Sequence, residues 1–248
     1  MIFMAAIPDA QSKSLGKTLS GATLNFRRRI GLTREQIAAR PFSLQLWNVI
    51  ARKHPLVLRT DLFPQETELL LRCFKEARPK TYLEVGVFWG GTFRNILEHR
   101  DALSLPTKCI GLDVWDEVLD AASTTHTSGW PDRKIVGDAL LKCGFKNFEL
   151  LSGLSTHAGS LIKGKIDFAL HDANHTYAAV MEDLSELHPL LTDGATMVVH
   201  NAGKEFEPDK TYFQTDGGPY QAIMDLVKAG QWELKTLEYR LAVLKKNP

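Results

Sequence analysis

The stretch Thr81-Tyr-Leu-Glu-Val-Gly-Val-Phe-Trp-Gly-Gly-Thr92 constrains this chain more than any other part of it. An apolar run closes on Glu84, a glycine follows at 86 and a pair at 90 and 91, and helix-like sequence begins directly after. The pattern predicts a buried strand, a tight glycine turn and a helix start. A second apolar run, Cys109-Ile-Gly-Leu-Asp113, also ends in an acid. Glycines let backbone approach a ligand closely, and two acidic strand ends accept hydrogen bonds from its polar groups. The combination points to a nucleoside cofactor rather than to a protein partner. The spacing is Glu-x-Gly-x-x-x-Gly. It is not the Gly-x-Gly-x-x-Gly that seats a pyrophosphate on a helix N-terminus, so the first element suits a cationic or hydroxylated ligand. A strand, turn and helix whose glycines serve packing alone is the alternative reading.

Around this core the chain divides unevenly. Residues 1–60 carry a Ser-, Gly-, Thr-, Lys- and Arg-rich stretch with weak periodicity, then an apolar set including Ile37, Leu44, Trp47 and Ile50. They read as an appendage: a lid, an oligomer arm or a partly disordered tail. Residues 61–248 are regular. Strands are expected at 81–85, 108–112, 147–151, 166–170 and 195–199, with helical stretches at 92–100, 155–162 and 176–191. Such alternation implies a parallel sheet covered by helices on both faces. A helix from Tyr220 to Lys228 then precedes two strands, Trp232–Leu237 and Arg240–Leu244. Their short connection requires antiparallel pairing. The expected architecture is α/β, with a mostly parallel seven-stranded sheet and one antiparallel strand near the C-terminus.

A second polar cluster follows the fourth strand. After Ile166-Asp-Phe-Ala-Leu170 come His171, Asp172, Asn174 and His175, and the next apolar run ends in His200-Asn201. In open α/β sheets ligands bind at the carboxyl ends of strands, so both groups should face one site.

These segments resemble known proteins. The glycine turn is similar to motif I of class I S-adenosylmethionine-dependent methyltransferases. The run from Ile166 to His200 resembles the family of macrocin-type sugar O-methyltransferases and cephalosporin hydroxylase-like proteins, matching at Asp172, His175, Tyr177, Asp183, Gly194 and His200. The resemblance covers residues 80–205 and implies a Rossmann-like class I methyltransferase sandwich. It also implies roles. Glu84, Gly86 and Gly90 would bind the methionine portion of S-adenosylmethionine, Asp113 the ribose hydroxyls, and Ser155 would lie near the adenine. Asp172 would lie near the methionine amine and act as a metal ligand, with His200 and Asn201 completing a divalent metal site. His175 would be the general base for an acceptor hydroxyl. The family's metal-dependent members carry two acids where this chain has His200-Asn201. Mg²⁺ prefers oxygen donors and imidazole suits other metals, so metal dependence stays open.

Together with that resemblance, the residues imply an S-adenosylmethionine-dependent O-methyltransferase acting on a small-molecule hydroxyl, of a sugar or a natural product. A catalytically diverged cofactor-binding protein on the same fold is the alternative. Trp115–Lys134 and Ala202–Asp216 are expected to shape the acceptor pocket. The His171-to-His175 spacing resembles a zinc-protease helix, but the first histidine ends a strand, so the two would not share a helix face. Gly153-Leu-Ser-Thr-His157 breaks the serine-hydrolase elbow at its last position. His171 is readable as a core histidine, His175 as a helix cap, and His99 and His188 as surface decoration of helices. A formal charge of +1 gives no footprint for nucleic acid. Three scattered cysteines suggest core thiols in a reducing compartment, and no apolar run suits a bilayer. Cytoplasmic location follows as an expectation, with a homo-oligomer open.

Overall fold

A computed structural model of the chain describes residues 57–115, 131–203 and 218–248. Its frame is one seven-stranded sheet. The strands are β1 (Thr81–Val85), β2 (Lys108–Asp113), β3 (Phe148–Ser152), β4 (Ile166–His171), β5 (Leu191–Val199), β6 (Trp232–Glu238) and β7 (Leu241–Lys246). Their order is β3-β2-β1-β4-β5-β7-β6, with β1 to β5 parallel and β7 antiparallel to both neighbours. The expected topology is therefore present, with β7 as the antiparallel strand.

Side-chain alternation along the strands builds two cores. Tyr82, Phe168, Val198 and Val243 face one layer, and Leu83, Ala169, Met197 and Leu244 face the other. The register agrees: Tyr82 pairs with Phe168 and Leu83 with Ala169. The first layer holds helices α1 (Pro64–Ala77), α2 (Gly91–Ala102) and α3 (Arg133–Lys142). Phe74, Tyr82 and Phe168 meet there at ring distances of 5.8–5.9 Å. The second layer holds the short α4 (Ala158–Leu161), α5 (Tyr177–Leu187) and α6 (Gly218–Lys228).

Several local expectations are corrected. The helix expected at 155–162 is a 3₁₀ turn, Ser155–His157, followed by one helical turn. The helix expected to reach 191 ends at Leu187, and a 3₁₀ turn containing Pro189 leads into β5, which starts at Leu191 rather than 195. Proline has no N–H to continue an α-helix. Helix α3 was not foreseen, although Asp132 caps it through Lys134 N–H and Val136, Ala139 and Leu140 form its buried face. His99 does not decorate a surface: it is 2% exposed and packs edge-on to Phe74 at 6.3 Å. Burial and the nearby Lys75 bring its pKa down to about 4, so it is neutral. His188 packs edge-on to Trp232 at 5.2 Å. Cys73, Cys109 and Cys143 are free thiols, and burial pushes Cys109 up to about 12. No helix among the described residues is long and apolar enough to cross a membrane.

The appendage expected over residues 1–60 lies outside the described residues up to 56. Its last residues are part of the packed structure. Val57 and Leu58 are buried, Leu58 N–H donates to Trp89 O at 2.7 Å, and the Thr60 and Thr92 hydroxyls meet at 2.8 Å. This strap crosses the start of α2 so closely that a Cβ on Gly91 would stand 2.0 Å from the Arg59 carbonyl carbon and oxygen. Backbone cannot yield as a side-chain tip can. Gly91→Ala is thus expected to lower unfolding stability by about 1–3 kcal/mol through overpacking. Gly137→Ala provides the control, because its Cβ would meet only Leu150 Cδ1 at 3.7 Å in mid-α3. It should raise stability by about 0.5–1 kcal/mol, as alanine replaces glycine in a helix. Denaturant unfolding of the two variants checks both signs.

Candidate active site

Three carboxylates mark the carboxyl ends of β1, β2 and β4. Glu84 is 1% exposed and accepts from the Tyr82 hydroxyl at 2.7 Å. Burial drives its pKa well above the usual carboxylate range; the Tyr82 bond opposes this, and the charges of Asp172 and Asp113 add to the rise. Asp113 is clamped by backbone: Phe88 N–H and Val114 N–H each donate to one of its oxygens at 2.7 Å. Phe88 belongs to the glycine turn, so the turn and the second acid are one unit.

Gly86 and Gly90 both have positive φ, +90° and +77°. For Gly86 there is a further reason. A Cβ would stand 2.1 Å from Asp172 O, because Asp172 N–H donates to Val85 O at 2.8 Å and draws the turn after β4 against the turn after β1. Gly90 starts α2, where a Cβ would meet Val136 Cγ1 at 2.6 Å. Ser155 stands half-buried in the turn after β3, three residues past Ser152, which pairs with Asp113.

The second cluster is brought together as its position at the strand ends demands. Asp172 Oδ1 lies 2.7 Å from His200 Nδ1 and 3.2 Å from His175 Nε2. A carboxylate only accepts, so both ring nitrogens carry protons toward it. The other side of His200 faces Glu66, with Nε2 3.6 Å from Oε2. Burial alone would lower the His200 pKa, but Asp172 and Glu66 outweigh it and hold it at about 9. Asp172 is held well below its usual range: His200 and the bonds from both histidines overcome its burial. His175 does not cap α5. Thr176 does so, its hydroxyl accepting from Ala179 N–H at 3.3 Å, while Asn174 Oδ1 takes Thr176 N–H at 3.0 Å. His171 is the core histidine of the set. It is fully buried and bonded to Asp183 at 2.8 Å, pinning the end of β4 to α5.

Two participants had no signal in the sequence. Glu66 lies in the first turn of α1, where it accepts Phe63 N–H at 2.7 Å. Its pKa falls to about 2 because bonds from His200, Arg240 and Phe63 outweigh its burial. Arg240, in the β6–β7 turn, grips it through Nε and through Nη2 at 2.6 Å and lies over the Phe63 ring at 4.2 Å. Its Nη1 also donates to Asn201 Oδ1 at 3.2 Å. Arginine offers only donors, which fixes the amide: the Asn201 nitrogen faces His175, 3.2 Å from Nδ1 and 3.5 Å from Nε2. Near-equal distances to both ring nitrogens put that nitrogen against the ring rather than at the end of one lone pair. The exposed end of the network is at Asp172 and His175, whose side chains are 20% and 28% accessible against 5% for His200 and none for Glu66.

Asp172, His175 and His200 place one ligand-type atom each within 4.8 Å of one another, a grouping able to surround a metal ion if deprotonated. Asn201 does not bring its oxygen to that group. Of the segments expected to shape an acceptor pocket, 116–130 and 204–217 lie outside the described residues. Trp115 belongs to the core instead: it is fully buried and donates from Nε1 to Leu151 O at 2.8 Å.

Comparison with known proteins agrees with this frame. Residues 83–202 match a family described as a methyltransferase domain. A rhamnosyl O-methyltransferase from Mycobacterium leprae is 27% identical over 151 residues, 60% of this chain and 58% of that protein. The chain thus spans little more than half of that relative's length. Among solved structures, an O-methyltransferase from Bacillus cereus in complex with SAH superposes with a TM-score of 0.56 at 16% identity, over 82% of this chain and 89% of that one. An O-methyltransferase from Streptomyces achromogenes, involved in tomaymycin synthesis and solved with SAM, gives 0.55 at 15% identity over 83% and 91%. The segment that matches the methyltransferase-domain family holds Glu84, Gly86, Asp113, Asp172, His175 and His200, and the likeness to the solved O-methyltransferases shows that the chain has their Rossmann-like fold.

Proposed function

We propose that the chain is an S-adenosylmethionine-dependent O-methyltransferase that acts on a hydroxyl of a small molecule, a sugar or a natural product. The observation that carries this reading is the convergence of Glu84, Asp113 and Asp172 on the Gly86–Gly90 turn. Burial, with Asp172 and Asp113 adding to it, raises the pKa of Glu84. Three acids gathered around a turn that backbone can approach closely suit a ligand with an amine and hydroxyls to be bound. The relatives support the rest: one is a rhamnosyl O-methyltransferase, and two superposed O-methyltransferases were solved with SAH or SAM. Residues 61–248 are proposed as the catalytic unit, with the 57–60 strap closing on it and residues 1–56 as an appendage.

When bound, S-adenosylmethionine supplies a methyl group on a sulfonium that departs as a neutral thioether. The chain has three tasks. Glu84, Gly86, Gly90 and Asp172 hold the methionine end, Asp113 the ribose hydroxyls and Ser155 the adenine side. Asp113 is aimed in advance by Phe88 and Val114 N–H. His175 receives the acceptor's hydroxyl proton at Nδ1, because its Nε2–H is engaged by Asp172. Alignment supplies much of the acceleration for a transfer whose methyl is already activated.

Two measurements test the reading. Isothermal titration with S-adenosylhomocysteine should show binding by the wild-type protein and a loss of about tenfold or more for Asp113→Ala, since charge-assisted bonds to both ribose hydroxyls would go. Unchanged affinity in Asp113→Ala sinks the ribose assignment, and no binding by wild type sinks the cofactor. His175→Ala should keep that affinity and lose about 10²–10⁴-fold in kcat, the range of a positioned general base. Full turnover in His175→Ala removes it from the chemistry. Cofactor binding without turnover of any hydroxyl acceptor favours the diverged binding protein.

A further inference from the structure

We propose that Arg240, Glu66 and His200 form an internal chain of alternating charge that stands in place of a bound divalent cation beside Asp172, so that the Asp172–His175 pair works without metal. The part concerning catalysis rests on the O-methyltransferase reading above; the part concerning metal does not.

The donor set argues against an ion. A ring nitrogen that donates to a carboxylate has no lone pair left for a metal. His200 is engaged by Asp172 at Nδ1, 2.7 Å away, while its buried Nε2 faces Glu66 at 3.6 Å, within ion-pair range but too long for a hydrogen bond. A carboxylate on each side of the ring favours the imidazolium, the form that offers a metal no lone pair. His175 turns its Nε2–H to the same Asp172 oxygen. Asn201 turns its side-chain oxygen to Arg240. Among the described residues of this cluster, Asp172 is the partly exposed carboxylate left to Mg²⁺ or Mn²⁺, where hard cations need several oxygens. Among the described residues of the network, two carboxylates, Glu66 and Asp172, alternate with Arg240 and His200.

The chain also does what a metal would do for geometry. Arg240 holds Glu66 through two nitrogens, and Glu66 and Asp172 hold His200 between them. His200 fixes the Asp172 oxygen that receives His175 Nε2–H, which leaves His175 Nδ1 to take a proton. Arg240, Glu66 and His200 are positioning residues in this arrangement, and His175 is the group that meets substrate.

The test has two arms. Chelator-stripped wild-type protein, titrated with Mn²⁺ and followed by electron paramagnetic resonance, should bind no ion in the micromolar range. The double variant His200→Asp, Asn201→Asp, which sets two carboxylates beside Asp172, should acquire such a site. Micromolar Mn²⁺ binding by wild type that Asp172→Asn abolishes overturns the proposal. In the second arm, turnover in excess chelator should equal turnover with Mg²⁺. Arg240→Gln should lower kcat on the order of tenfold to hundredfold through misplacement of His175, with S-adenosylhomocysteine affinity kept and part of the rate restored in Arg240→Lys. Turnover that requires Mg²⁺, or full kcat in Arg240→Gln, overturns it. If no hydroxyl acceptor is turned over, the O-methyltransferase reading fails and the Mn²⁺ arm alone decides this proposal.

Discussion

The site depends on one close approach, that of Gly86 to the backbone of Asp172. Val85 O receives Asp172 N–H, and Gly86 N–H donates to Leu112 O at 2.9 Å. Three strand ends are tied at one point by these two bonds. There is no room at Gly86 for a side chain, since its Cβ would lie 2.1 Å from a carbonyl oxygen that cannot move without breaking the tie. Everything that carries charge in the site hangs from this knot. Asp113 ends the strand whose Leu112 carbonyl is tied, Glu84 precedes the glycine by two residues, and Asp172 supplies the other half of the contact. The glycine serves the joining of two turns as much as any ligand.

Burying so many charges is costly, and the network shows how the cost is offset. Removing a carboxylate or a guanidinium from water is unfavourable by several kcal/mol, and only good geometry with further hydrogen bonds compensates. Glu66 meets this condition: it is fully buried yet receives Arg240, Phe63 N–H and the His200 edge. Glu84 meets it differently: Tyr82 completes its hydrogen bonding. The two acids thus shift in opposite directions: the bonds from His200, Arg240 and Phe63 outweigh burial at Glu66, whereas burial, with Asp172 and Asp113 adding to it, prevails at Glu84.

Much of this was legible in the sequence, for physical reasons that differ from part to part. The sheet was readable because each apolar run stops at a turn residue and because the strands alternate their faces. The strand-end acids and histidines were readable because chain direction alone places them at the carboxyl edge. Helix α3 was missed although Asp132 and its apolar spacing announce it, because the preceding loop-like segment was read through it. His99 was misplaced because a histidine on a helix gives no hint of which face it occupies. Glu66 and Arg240 were beyond reach for a stronger reason. Glu66 looks like an ordinary acid in a first helical turn, Arg240 like an ordinary residue in a hairpin, and their contact joins positions 174 residues apart. Only the closed sheet brings them together.

The antiparallel strand explains why that contact exists at all. In a sheet whose other strands are parallel, a residue just before a strand belongs to the edge opposite the site. Strand β7 runs the other way, pairing Ala242 with Val199 and Val243 with Val198. Its beginning therefore lies at the carboxyl end of β5, and Ala202 N–H donates to Arg240 O at 2.9 Å to hold it there. Arg240 reaches Glu66 and Asn201 because of this reversal. A parallel β7 of the same sequence would deliver the guanidinium to the far edge, leaving Glu66 as a buried charge without its strongest partner. The reversed strand thus supplies a fixed cation to the site as well as closing the sheet. Because α1, β4, β5 and β7 each contribute one member of the charged chain, the site assembles only when the C-terminal hairpin docks, which couples completion of the fold to completion of the chemistry.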